Sequence, residues 1–161
     1  MKSVCYWLTS ILLFAMPLSG QQRFQDSQSQ IAAALEQQGK FVESEAAWRV
    51  VLKAQPNNAE AYAHLGFLEA RQEHYRQAIV LYRKARVLNP SIPALDMNLG
   101  LALFKAGDLK EAVQVFSRLL QTQVPGSEES LRLKTLIGMA DYGLQDHSAA
   151  CLLYTSDAAD E

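Results

Sequence analysis

The middle of the chain repeats itself with a period of about 34 residues. Leu65-Gly66 is followed one period later by Leu99-Gly100, and Ala78 is followed by Ala112. A fixed period of this length is typical of repeat proteins, in which one repeat cannot bury its apolar face and must stack on its neighbours. We therefore predict an array of similar units rather than a single globular core.

Each unit contains two helical patterns. In the second unit, one pattern centres on Leu65 and stops at a break over residues 73–74, and another runs on from Ala78. Gly39 and Gly107 fall at equivalent breaks, where glycine readily adopts the left-handed conformation that ends a helix. The pattern predicts an all-α fold, an α-solenoid of stacked antiparallel helix pairs.

Small residues mark the places where the two helices of a unit should touch. Antiparallel helices approach closely only where neither side chain is bulky, so we expect Gly66 to face Ala78 and Gly100 to face Ala112. A large side chain at Gly66 should cost about 1–3 kcal/mol through overpacking. The predicted helix-packing residues are Leu65, Gly66, Ala78, Leu99, Gly100 and Ala112.

The chain resembles a tetratricopeptide repeat (TPR) protein. The second unit, residues 59–92, carries the marked positions of that family, which are Tyr62, Leu65, Gly66, Tyr75, Ala78, Tyr82, Ala85 and Pro90. The third unit, residues 93–126, has Asp96 where an aromatic residue is usual. The weaker first unit, residues 25–58, has Ser44 where alanine is expected. The resemblance implies a TPR superhelix.

A partial, poorly matching fourth unit is predicted over residues 131–161. Gly138 lies 38 residues after Gly100, but the pattern then fails. The tail, residues 151–161, resembles a peptide found at the ends of unrelated reading frames after read-through of a library adapter. We interpret this tail as non-native, in which case the chain is the N-terminal fragment of a longer protein. The alternative is a natural frayed terminus.

The first twenty residues have the pattern of a secretory signal peptide, predicted over residues 1–20. Lys2 precedes an apolar run over residues 4–18, and residues 19–20 are small. The run is shorter than the roughly 20 residues that a membrane-spanning helix needs, so we expect cleavage and no stable membrane insertion afterwards. Residues 21–29, rich in Gln and Ser, are predicted to form a flexible lead. The predicted location is extracytoplasmic, either periplasmic or secreted.

Neither charge nor motifs favour catalysis or nucleic-acid binding. The net charge of −2 gives no general attraction for nucleic acid. Without a His-Glu-x-x-His motif, a nucleophile elbow or a glycine-rich phosphate loop, we predict no enzyme activity, no catalytic residue and no cofactor. Glu60 and His64 share a helix face, but a solvated pair is commoner there than a metal site, and we predict no metal. The charges of Arg83, Lys84 and Arg86 should face solvent.

The resemblance implies a binding groove on the inner face of the superhelix, which comes mainly from the first helix of each unit. Phe67, Leu101 and Met139 recur at matching places and should form an apolar row beside Arg71 and Lys105. The predicted groove residues are Ala63, Phe67, Arg71, Met97, Leu101, Phe104, Lys105 and Met139. Such a surface suits an amphipathic helix or an extended peptide with an acidic or polar flank. The alternative is that these side chains pack under a further helix.

We therefore expect a non-enzymatic interaction module that holds a peptide or protein partner of unknown identity. One subtype of the family binds a C-terminal carboxylate through a cluster of Lys and Asn, and it is disfavoured because only Asn98 matches that cluster. Two alternatives stay open. The chain is either the accessory N-terminal repeat region of a larger secreted enzyme or transport component, or an array that self-associates through its open C-terminal end.

Overall fold

The computed structural model describes the backbone of residues 18–157 and the side chains of residues 27–145. Over this range all regular structure is helical, and it contains no strand. The helices are α1 (Leu18–Gln37), α2 (Phe41–Ala54), α3 (Ala59–Arg71), α4 (Tyr75–Leu88), α5 (Leu95–Ala106), α6 (Leu109–Gln121) and α7 (Glu128–Asp157). The predicted all-α fold class is confirmed. None of these helices is both long and apolar enough to cross a membrane.

The helices form two compact units. The first unit contains α1 and α2 and ends at Ala54, and the second starts at Gln55 and contains α3 to α7. Within the second unit each helix packs against the next one along the chain, from α3 through to α7. Short loops between successive packed helices produce antiparallel neighbours, as in an α-solenoid. The predicted solenoid is confirmed in this arrangement.

Local sequence signals set the helix ends. Asn58 precedes α3, and its side-chain Oδ1 accepts a hydrogen bond from the backbone N–H of Ala61 at 2.9 Å. Gly39 and Gly107 follow α1 and α5 in the left-handed conformation, with φ of 75° and 83°. Glu73 has the same conformation, with φ of 63°, at the equivalent place after α3. The predicted breaks between the helices are therefore confirmed.

The apolar core of the second unit is built mainly by α4, α5 and α6. Its largest side chains, Tyr82 and Phe116, are almost completely buried. Each such side chain contributes roughly 1.5–3 kcal/mol, so the core accounts for much of the stability of the stack. The members of this cluster are Ala78, Ile79, Tyr82, Ala85, Leu95, Leu99, Ala102, Leu103, Ala112, Val115, Phe116 and Leu133.

The glycines at the helix contacts face aromatic rings. A Cβ atom at Gly66 would lie 2.8 Å from the ring of Tyr82, and one at Gly100 would lie 2.5 Å from the ring of Phe116. The ring, rather than the methyl group of Ala78 one turn earlier, is therefore the nearest neighbour of Gly66, and this corrects the expected pairing. Glycine is needed here because an aromatic ring fills the space that a side chain would occupy.

The segment predicted as a flexible lead is helical. Residues 21–29 belong to α1. The reason is that no glycine or proline lies between Gly20 and Gly39 to interrupt the helix, and Gln has a favourable helix propensity. Residues 1–17 of the predicted signal peptide lie outside the described residues.

Residues 131–157 of the predicted partial fourth unit belong to one continuous helix, α7. No glycine or proline follows Gly143 in the sequence, so nothing in residues 144–157 breaks the helix. Residues 158–161 of the tail lie outside the described residues.

Candidate functional site

A groove lies between α3 and α5 in the second unit. Phe67 and Leu101 occupy equivalent positions on these helices and supply apolar walls, and Arg71 and Lys105 follow one turn later on each. The groove has a volume of about 210 Å³. Its lining residues are Phe67, Ala70, Arg71, Tyr75, Tyr82, Asn98, Leu101, Ala102 and Lys105.

The helical period explains why these side chains meet. On α5, Leu101 and Ala102 lie three and four residues after Asn98, and Lys105 lies four and three residues after them, so the four share one face. On the opposite face of the same helix, Leu103 is completely buried in the core. The stack therefore fixes the direction in which α5 presents its groove face.

The groove combines apolar surface with positive charge. The guanidinium carbon of Arg71 lies 5.9 Å from the centroid of the Phe67 ring, within the range of a cation–π interaction. Arg71 and Lys105 are both exposed to solvent. None of the lining residues is an aspartate or glutamate. This arrangement suits an apolar group that has an anionic neighbour.

The structure brings together half of the predicted groove residues, and these are Phe67, Arg71, Leu101 and Lys105. Ala63 and Phe104 are instead half-buried and pack against the core cluster. Met97 lines a second cavity at the start of α5. Met139 is 53% exposed on α7 and is not among the lining residues of either cavity. The predicted apolar row is thus shorter than the sequence suggested.

Some lining residues were not predicted as groove residues. Asn98 had a detectable signal, because it precedes Leu101 by one turn and must share its face. Tyr75 lines the groove from the start of α4. It was not predicted because the groove was expected to come mainly from the first helix of each unit, and α4 is a second helix. Tyr82 was expected to fill the space between helices, and it does so while one part of it also lines the groove.

The second cavity, of about 490 Å³, lies where the start of α5, the end of α6 and the start of α7 meet. Asn98 lines both this cavity and the groove, so the two adjoin along α5. Its lining is mixed, with Asp96, Glu129 and Arg132 beside apolar side chains. The Oδ1 atom of Asp96 lies 3.5 Å from Nη1 of Arg86, which compensates its charge.

The described part of the chain was also searched for a metal site. There, no group of three or more His, Cys, Asp or Glu side chains could hold a metal ion. Glu60 Oε1 and His64 Nε2 lie 3.9 Å apart on α3, as their spacing indicated.

Comparison with known proteins identifies the repeat. Residues 64–128 match the tetratricopeptide repeat family model. The Protein CTR9 homolog of Arabidopsis thaliana is 30% identical over 101 residues, which make up 62% of this chain. The chain spans 9% of the length of that relative.

Solved structures share the fold at low sequence identity. The second TPR domain of human RPAP3, solved in complex with an HSP70 peptide, has a TM-score of 0.62 at 21% identity and covers 74% of this chain and 97% of its own. The Yersinia enterocolitica type III secretion chaperone SycD, in complex with a peptide of the translocator YopD, has a TM-score of 0.65 at 16% identity, covering 74% and 94%. The chain therefore has the fold of a TPR α-solenoid, and its residues 64–128 are similar to tetratricopeptide repeats.

Proposed function

We propose that this chain is a non-enzymatic protein-interaction module that binds a peptide segment in the groove between α3 and α5. The observation that carries the proposal is the pairing of apolar walls, Phe67 and Leu101, with two cations, Arg71 and Lys105. The complexes of RPAP3 and SycD with peptides support it, since both have the same fold.

The size of the groove favours a peptide side chain over a small-molecule cofactor. Pockets for small molecules typically have volumes of about 300–1,000 Å³. The groove, at about 210 Å³, is smaller and accommodates one apolar side chain. A longer ligand then continues along α5, past the amide of Asn98, towards the second cavity.

The charges of the groove define the flank of that peptide. Arg71 and Lys105 stand one helical turn beyond the apolar walls. An Asp or Glu beside the apolar anchor of the ligand would complement this positive charge. The proposed ligand is therefore an extended peptide with an apolar residue next to acidic residues.

A peptide library displayed on phage and selected on the purified chain tests the proposal. We expect selected peptides to combine an apolar anchor with acidic residues, and Leu101→Asp to weaken their binding by at least about tenfold, or about 1.4 kcal/mol. Lys105→Glu should weaken it by a smaller factor, since a charge at the rim is screened by salt.

Val124→Asp is the matched control, because this side chain is 72% exposed and lies outside the groove. Circular dichroism establishes that each variant keeps its helical content, which matters for Leu101 because it also packs against the core. Peptide affinities that stay the same in folded Leu101→Asp and Lys105→Glu variants would refute the groove.

We propose that the protein acts outside the cytoplasm, in the periplasm or as a secreted protein. The support is the sequence of Lys2, the apolar run over residues 4–18 and the small residues after it. Fusing residues 1–30 to a reporter enzyme that is active only after export should give activity, and deleting residues 4–18 should abolish it. Equal activity of both fusions would contradict export by this segment.

An alternative is that these repeats are the accessory N-terminal region of a larger secreted enzyme or transport component. The support is that the similarity to the CTR9 homolog covers only 9% of that protein, so such repeats occur within longer chains. Sequencing the source locus beyond the codon for Ala150 decides between the two. A reading frame that continues into a catalytic or transport domain favours this alternative.

A further inference from the structure

A row of basic and apolar side chains lies along the exposed face of α4. At about 100° of rotation per residue, its members fall within roughly a third of the helix circumference. They are Arg76, Val80, Arg83, Lys84 and Val87, and we refer to them as the α4 stripe. All five are exposed to solvent, which separates the stripe from the core face of α4, where Ala78 and Tyr82 are buried.

The two valines of the stripe are unusually accessible. Val80 is 65% exposed and Val87 is 80% exposed. Single exposed apolar residues are common, but these two are seven residues apart and line up on the same face after two turns. The spacing is that of a helix-packing seam, in which apolar side chains repeat every heptad.

Charged neighbours surround each valine. Val80 lies one turn after Arg76 and one turn before Lys84, and Val87 follows Arg83 and Lys84 by one turn. A coiled-coil seam has the same organisation, in which charges beside the apolar positions select the partner. A partner helix on this stripe must therefore present acidic residues on both sides of its own apolar row.

The positive charge of α4 is unbalanced along the helix. The segment YRQAIVLYRKARVL contains Arg and Lys but no Asp or Glu, although the chain as a whole has a net charge of −2. Two carboxylates from neighbouring helices reach it, Glu111 at 2.6 Å from Arg83 and Asp96 at 3.5 Å from Arg86. Arg83 is therefore already paired, whereas Arg76 and Lys84, each one turn from Val80, supply the positive charge beside this valine.

We infer that the α4 stripe is a docking surface for an acidic amphipathic helix of a partner protein. Apolar side chains of that helix pack beside Val80 and Val87, and its Asp or Glu residues pair with Arg76 and Lys84. An anionic membrane fits less well, because interfacial helices bury large groups such as Trp, Phe or Leu, and the stripe offers only valine. None of the five stripe residues lines the peptide groove, so the stripe is a second interaction site.

The experiment uses a fluorescent helical peptide of about three heptads, with Leu at the apolar positions and Glu at the flanking ones. Fluorescence anisotropy measures its binding to the full chain, in parallel with a peptide that has Lys in place of every Glu. We expect the acidic peptide to bind and the basic one not to bind. Raising the salt concentration from about 0.05 to 0.3 M should weaken binding, because screening shortens the reach of the charges.

Two double variants divide the stripe into its parts. Val80→Ser with Val87→Ser removes the apolar seam, and Arg76→Glu with Lys84→Glu reverses the charge; each should weaken binding by at least about tenfold. Because all four side chains are exposed, both variants should keep the wild-type melting temperature.

The controls separate this site from the groove. Val124→Ser with Lys134→Glu makes the same changes at exposed positions outside α4 and should alter the affinity less than about twofold. Leu101→Asp, which tests the peptide groove, should also leave the acidic helix bound. If binding is lost in Leu101→Asp but kept in the stripe variants, the peptide occupies the groove and the inference is wrong.

Two other outcomes also overturn the inference. One is that the acidic peptide does not bind, and the other is that the basic peptide binds equally well. Vesicles containing phosphatidylglycerol test whether an anionic membrane occupies the stripe instead. If the wild-type chain sediments with the vesicles but does not bind the acidic peptide, and if both double variants no longer sediment with the vesicles, the stripe contacts lipid rather than a helix.

Discussion

Equivalent glycines in successive repeats have opposite roles. Gly100 is occluded, because a Cβ atom there would lie 2.5 Å from the Phe116 ring, whereas a Cβ atom at Gly138 has no described neighbour within 4 Å. We expect Gly100→Ala to destabilise the fold by about 1–3 kcal/mol through overpacking. Gly138→Ala should stabilise it by about 0.5–1 kcal/mol, since alanine is the better helix former.

Urea denaturation of the two variants measures both effects under the same conditions. The sign of the change in the free energy of unfolding is more informative than its size, because both variants replace glycine with alanine. A shift of both midpoints in the same direction would mean that the contact between Gly100 and Phe116 does not decide the stability of the stack.

Glu73 has a backbone conformation that suits glycine. Its φ of 63° matches the φ of 83° at Gly107, which ends α5 in the same way. A left-handed non-glycine residue costs roughly 1–2 kcal/mol, partly offset in a glycine variant by the greater entropy of the unfolded chain. Glu73→Gly should therefore raise the free energy of unfolding by about 0.5–1 kcal/mol.

Gly107→Ala is the matched change at the other position and should lower the free energy of unfolding by a similar amount. Thermal melts followed by circular dichroism record both. A lower melting temperature for Glu73→Gly would show that the carboxylate, rather than the backbone conformation, determines the contribution of this residue.

The start of α3 depends on one side chain. Asn58 accepts the N–H of Ala61 through Oδ1 and donates through Nδ2 to Oε1 of Gln55 at 2.6 Å. Losing this cap should cost about 1 kcal/mol, within the range of 0.5–2 kcal/mol for helix N-caps. We expect Asn58→Ala to lower the urea midpoint, and Asn57→Ala, at the exposed neighbouring residue, to leave it nearly unchanged. Equal effects of the two alanines would contradict the capping role.

Helix pairing was predictable because each unit repeats the same signals. Gly39, Gly107 and Asn58 all end or begin helices where the sequence indicated. The nearest neighbour of Gly66 was not predictable in the same way, because Ala78 and Tyr82 are one turn apart and both are buried residues of α4. Which of them covers the glycine depends on the ring orientation, and the periodicity of the sequence contains no information about it.

The groove was predictable only in part. The 34-residue step placed Phe67 with Leu101 and Arg71 with Lys105 correctly, because equivalent residues of stacked helices lie side by side. The step failed for Met139, which lies beyond an insertion and on a helix without a second helix of its own unit. The repeat period predicts which residues share a surface as long as the repeats are regular. It no longer does so where an insertion changes the spacing.

The two proposed interaction surfaces share no residue. The groove is lined mainly by α3 and α5, whereas the α4 stripe consists of solvent-exposed residues of α4. Both surfaces contain basic side chains, although the chain has a net charge of −2. The proposed preference for acidic partners could not be inferred from the net charge, because that value averages over the whole sequence.

One face of α7 carries exposed apolar side chains. Leu131 is 57% exposed and Tyr142 is 68% exposed, and Gly138 lies between them on the same side of the helix. In the preceding repeats the equivalent glycine is covered by an aromatic ring from the next helix. An uncovered apolar row with a glycine in its middle permits close approach of another helix, so we expect two copies to pair through α7 by two-fold symmetry.

Sedimentation velocity over a series of concentrations measures this self-association. Leu131→Lys with Tyr142→Lys places like charges opposite one another across the two-fold axis, and should shift the equilibrium to the monomer by at least about tenfold. Val80→Lys, an equally exposed position on α4, is the control and should leave the dimer intact. If the wild-type chain stays monomeric throughout the series, the face of α7 does not bind a second copy. A wild-type dimer that persists in the double variant is held together by another surface.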